Sequence, residues 1–179
     1  MSPGHLFLIG IKMGMFSFIK EAGEKLFGTG EAKAAQSAAA AAPTAENIAA
    51  MSKAAGDAIE TYIGTMNLDV EGLDVSFDAA SGAVTVAGVA PDQATKEKVL
   101  LCCGNVASVS SVNDMMTVSS PEPESQMHVV VSGDTLSKIS KEYYDTPNKY
   151  QQIFEANKPM LSHPDKIYPG QVLRIPADS

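Results

Sequence analysis

Apolar residues recur along this chain at two different periods, and the change of period divides it into segments. In "ENIAAMSKAAGDAIETYIG", Ile48, Met51, Ala55, Ile59 and Ile63 fall three or four positions apart, the spacing of one helix face. "LDVSFDAASGAVTVAGVA" alternates instead, with Leu73, Val75 and Phe77 before the turn "AASG" and Val84 and Val86 after it. That alternation predicts a β-hairpin with one buried face. "PDQATKEKVLLCCG" opens on Pro91 and Asp92, builds a second helix and stops at Gly104, and "VSSVNDMMTV" returns as a third strand. Residues 46–119 therefore read as one α+β unit in the order helix, strand, strand, helix, strand.

A second unit follows over residues 127–179. "HVVV" is a strand. In "SGDTLSKISKEYY", Gly133 makes a turn, Asp134 is a natural N-cap, and Leu136, Ile139 and Tyr143 share a face. "NKYQQIFEANKP" predicts a second short helix with Tyr150, Ile153 and Phe154 inward, and "DKIYPGQVLRIP" a turn and closing strand. Two helices on a two-stranded sheet is the economical packing for so short a segment. Between the units, "SSPEPESQ" is acidic and Pro-rich; residues 120–126 read as a linker that keeps the modules apart.

Upstream the pattern weakens. Residues 28–45, "GTGEAKAAQSAAAAAPTA", read as an Ala-rich linker with some helical tendency. Residues 13–27 contain "MFSFIKEAGEKLF", where Phe16, Ile19 and Leu26 mark an amphipathic helix too brief to stand alone. Its mixed charges disfavour membrane adsorption. Residues 1–12 carry a short apolar run from Leu6 to Ile11, without the basic stretch before it or the small-residue site after it that a signal peptide needs. They read as an upstream extension, and the chain as cytoplasmic.

Composition narrows the chemistry. A formal charge of −8 argues against nucleic acid as a partner, and with no Trp no stacking platform stands out. Cys102 and Cys103 are adjacent, a poor geometry for a disulfide, and read as small buried hydrophobes in a reducing compartment. His5, His128 and His163 lack metal-ligand spacing. Asp69, Glu71, Asp74 and Asp78 lack the Gly-centred calcium-loop pattern and read as a solvated face. Ser132 and Asp134 have no His placed to complete a triad. No enzyme is predicted.

Three pieces, "VVVSGDTLSKIS", "IFEANKP" and "IYPGQVLRIP", make residues 128–176 resemble LysM domains. The resemblance implies a βααβ fold and a glycan ligand containing N-acetylglucosamine. Its groove positions here are Gly133, Asp134, Thr135 and Leu136, and Pro164 to Tyr168, with Ile167 and Tyr168 at the end. Residues 46–119 resemble a BON domain, an interaction module without catalytic residues. Together with "MFSFIKEAGEKLF" and "KEKVLLCCGNVASVSSV", the order over residues 13–176 resembles the small cytoplasmic BON–LysM potassium-binding proteins. That implies K+ as the bound cofactor and a conformational response joining the BON and LysM units.

Potassium is selected by several neutral carbonyl oxygens, which leave almost no side-chain signature. Helix C-termini supply such oxygens, because their last four C=O groups lack an intrahelical donor. Two glycine-marked places fit, "IKEAG" and "LCCGNV", so main-chain oxygens of Ile19, Ala22, Cys102, Gly104 and Val106 are the candidate ligands. The competing reading is that Gly23 and Gly104 are ordinary helix stops. Two other functions stand beside the potassium one: an exported envelope protein gripping peptidoglycan through LysM, which is disfavoured, and a thiol enzyme using Cys102.

Overall fold

The computed structural model describes residues 30–106 and 109–178. The expected extension over residues 1–12, the amphipathic helix over 13–27 and the candidate ligands Ile19 and Ala22 lie outside the described residues.

The segment read as an Ala-rich linker carries helix α1 (Gly30–Ala41), whose Ala39 is buried. Pro43 ends the excursion, and the Thr44 hydroxyl accepts the Asn47 N–H at 3.2 Å to cap α2 (Ala45–Thr65). Asn47 ties the two helices by donating its side-chain amide to Ala42 O at 2.8 Å. Ala55, Ile59 and Ile63 face the core as their spacing predicts, while Ile48 and Met51, nearer the helix start, are half-buried.

Strands β1 (Glu71–Asp78) and β2 (Ala83–Asp92) pair antiparallel across the predicted turn, where Gly82 takes φ +70° and donates to Asp78 O at 2.8 Å. Strand β3 (Ser111–Ser120) lies on the other side of β2 and runs parallel to it. A parallel neighbour requires a crossover, and α3 (Gln93–Gly104) provides it, capped by Asp92 Oδ1 accepting the Thr95 N–H at 2.7 Å. Val75, Phe77, Val84 and Val86 form the sheet's buried face, against α2 and against Val99, Cys102 and Cys103 of α3. Helix α2 approaches the sheet closely at Gly56, where an added Cβ would stand 2.8 Å from Val75 O.

The second unit pairs β4 (Gln126–Val129) antiparallel with β5 (Val172–Ile175) and packs α4 (Leu136–Tyr144), a 3-10 turn over Pro147–Lys149, and α5 (Tyr150–Ala156) against them. Its core gathers Val130, Leu136, Ile139, Ile153, Phe154, Leu161, Leu173 and Ile175. Three side chains depart from expectation. Thr135, not Asp134, caps α4, its hydroxyl accepting the Lys138 N–H at 3.2 Å. Tyr144 is the buried ring, its hydroxyl donating to Pro176 O at 2.7 Å, while Tyr143 is half-buried. Tyr150, the first residue of α5, is exposed. The acidic linker does not hold the units apart either: they pack through α3 and β5, and Met160 of the second unit reaches the core of the first.

Candidate ion site at the junction of the two units

Helix α3 ends at Gly104, but not by a left-handed glycine. Asn105 is the cap, at φ −91° and ψ 5°, and a Cβ on Gly104 would meet only Val112 Cγ2 at 3.8 Å. In this last turn Leu101 O accepts the Asn105 N–H at 3.0 Å, Cys103 O the Val106 N–H at 3.2 Å, and Val106 O the Val109 N–H at 3.3 Å. Among the described residues no donor meets Cys102 O or Gly104 O. Among the described residues, then, two of the three candidate oxygens on this side accept no hydrogen bond and the third accepts one. The carboxyl end of a helix adds partial negative charge. Neutral oxygens at such an end are a donor set that fits a large monovalent cation. No group of three His, Cys, Asp or Glu side chains is placed for a metal among the described residues.

The thiols beside these carbonyls are closed off. Burial pushes Cys102 up to about 12, with Lys98 opposing slightly, and raises Cys103 further. Burial of this kind disfavours the thiolate that nucleophilic chemistry needs.

What the periodicity missed is a second working face on α3. Gln93, Glu97, Leu101 and Asn105 recur every four residues, and from this ridge Glu97 and Asn105 bond to β5 of the second unit. Glu97 is 2% exposed, yet its carboxylate accepts from Gln93 Nε2 at 3.0 Å, from the Ser125 N–H of the linker at 2.8 Å, and from Arg174 Nε of β5. Burial alone would raise its pKa; the Arg174 guanidinium, the Ser125 N–H and the Gln93 amide together hold it below the usual value. Asn105 grips β5 from the helix end: Nδ2 donates to Val172 O at 3.1 Å and Oδ1 accepts the Val172 N–H at 2.9 Å. Asn157 treats Arg174 in the same way from within its own unit, with both distances 2.8 Å. Polar residues at four-residue spacing on a helix read as a solvent face, so the sequence offered no signal beyond the Asn that follows Gly104.

The glycan-groove positions divide. Gly133 and Gly170 each take φ +91° as the third residue of a turn closed by an N–H to C=O bond, Asp134 to Val131 O at 3.1 Å and Gln171 to Tyr168 O at 3.0 Å. Bonds from Val130 to Gln171 O and from Gly170 to Val130 O set the two turns side by side. Gly133 and Thr135 are exposed, but Leu136 is buried and Ile167 packs against the same core, so Leu136 is not groove surface. Asp134 is engaged by the Val131 N–H at 2.8 Å and by His128 Nε2 at 3.0 Å, while His128 Nδ1 meets Tyr143 Oη at 3.2 Å. The fold therefore does bring a His to Asp134, as a brace between β4 and α4; Ser132 takes no part in it. Tyr168 is half-buried.

Comparison with known proteins matches residues 128–176 to the LysM domain family. An uncharacterized protein of Deinococcus radiodurans is 46% identical over 50 residues, 28% of this chain and 19% of that protein. Potassium binding protein Kbp of Escherichia coli O6:H1 is 40% identical over 168 residues, covering 93% of this chain and all of that protein. Near-complete coverage of both chains at that identity means that this chain belongs to the Kbp family, with a LysM domain as its C-terminal unit.

Proposed function

We propose that this protein is a cytoplasmic potassium-binding protein, a sensor or buffer, with residues 46–119 serving as a BON domain that holds the ion. The carrying observation is the pair of carbonyls, Cys102 O and Gly104 O, that no described donor meets at the C-terminus of α3. Ile19 and Ala22 are the proposed ligands from the N-terminal segment and Val106 O the third from α3. Bound potassium would supply one positive charge that neutral oxygens can satisfy without a carboxylate. The chain's own part is to hold those oxygens in place at the end of α3, where Cys102, Cys103 and Val106 are buried in the core of the first unit.

Relatedness to a protein named for potassium binding supports this reading, and so does the packing of the LysM unit on the helix that carries these carbonyls. Carbonyl carbon NMR tests it. Titration with KCl should shift the carbonyl resonances of Cys102, Gly104 and Val106, and equal NaCl should leave them in place. Shifts spread over the acidic surface, or equal for both salts, would remove the site. Cys102→Ala should bind as well as the unaltered protein, because the main chain, not the sulfur, is the ligand.

A further inference from the structure

We infer that Asn105 is the positioning residue that couples the ion site to the LysM unit. The inference rests on the potassium reading above and adds the element through which ion occupancy is felt by the second domain.

Antiparallel pairing decides which groups of β5 are available. His128 stands opposite Leu173, and Val130 donates to Gln171 O, so the N–H and C=O of Val172 and Arg174 point away from β4 along an open edge. Open strand edges take up further peptide groups. Here two asparagine amides take that place, each offering one donor and one acceptor as a third strand would: Asn157 on Arg174, and Asn105 on Val172. One of the two belongs to the unit itself. The other comes from the first unit, at the cap of the ion-site helix.

Asn105 stands between two proposed ligands, Gly104 and Val106, and its own N–H closes the turn on Leu101 O at 3.0 Å. Only two side-chain torsions separate its backbone from its amide. A shift of the 104–106 backbone by about an ångström would carry the amide out of hydrogen-bond range of both Val172 groups at once. The converse also holds. Docking of β5 on Asn105 fixes the cap and hence the direction of the Gly104 and Val106 carbonyls. Coupling of this kind is reciprocal: whatever favours the docked unit tightens ion binding by the same factor.

The test compares the full-length protein with Asn105→Ala and Asn105→Asp, the latter keeping the acceptor for the Val172 N–H but losing the donor for Val172 O. Calorimetric titration with KCl gives affinity, and amide hydrogen exchange at Val172 reports docking. Exchange at Arg174, held by Asn157, reports that the LysM unit is folded. The expected result is Val172 protection that rises with KCl in the unaltered protein, is lost in Asn105→Ala, and accompanies a weakening of potassium binding by at least about 5-fold. Both variants should weaken in the same direction with Arg174 still protected. Unchanged affinity and a persistent potassium response at Val172 in the variants would overturn the coupling role while leaving the ion site standing. No potassium response in the unaltered protein would overturn both.

Discussion

A carboxylate as enclosed as that of Glu97 is held charged by three donors, Arg174, Ser125 and Gln93. Removing the carboxylate strands the guanidinium at a junction where it is 12% exposed. Glu97→Ala should therefore cost about 3 kcal/mol of stability by denaturant unfolding, and the loss should appear first as separation of the units. The pH dependence follows from the sign of the shift. The folded pKa of Glu97 lies below its ordinary 4.5, so its contribution is fully present above that value and is lost as pH falls through the folded pKa. Asp134 within the LysM unit, whose burial is outweighed by the Val131 N–H and His128, is depressed as well. The difference between the unaltered protein and Glu97→Gln isolates the junction. Acid expansion measured by small-angle scattering should be pronounced in the former and largely absent in the latter, which has no carboxylate there to protonate.

At the scale of elements, the two periods in the sequence were sufficient for the order of helices and strands in both units. Alternation identified Val75, Phe77, Val84 and Val86, and the 3.6-residue period identified Ala55, Ile59 and Ile63, because each of these faces has a single apolar partner to meet. Helix α3 defeats that logic by burying two faces, an apolar one on the sheet and a polar ridge on the neighbouring domain. A hydrophobic period cannot register the second. The direction of β3 was equally hidden, since alternation is the same for parallel and antiparallel strands. Asp134 and Thr135 both suit a cap, and only the fold shows that Asp134 is engaged by His128. The contact at Gly56 yields a prediction at this scale. Alanine is the better helix former by about 1 kcal/mol, but its methyl would sit 2.8 Å from the Val75 carbonyl. Gly56→Ala should thus lower stability by about 1–2 kcal/mol in urea unfolding, overpacking outweighing propensity.

Across the whole molecule, one helix serves both domains. Its sheet-facing side completes the first core, its ridge holds β5 and the linker, and its last turn offers the carbonyls proposed for the ion. The proposed ligands Cys102, Gly104 and Val106 thus lie beside Asn105, which bonds to β5. Among the described residues no helix is long and apolar enough to cross a membrane. The net charge of −8 draws cations in general. General attraction does not discriminate potassium from sodium, and this is what separates a built site from an acidic surface.

Thermal unfolding in KCl and in NaCl at equal ionic strength tests that distinction most directly, since matched salts screen surface charge alike. Ion held by the native state alone stabilises it by about 2.7 kcal/mol at a hundredfold excess over Kd. For a chain of this size that corresponds to a rise of roughly 5–10 °C. The melting temperature should rise in this way in KCl relative to NaCl, and above Kd it should keep climbing with the logarithm of the potassium concentration. Superimposable melts in the two salts at every concentration would contradict it.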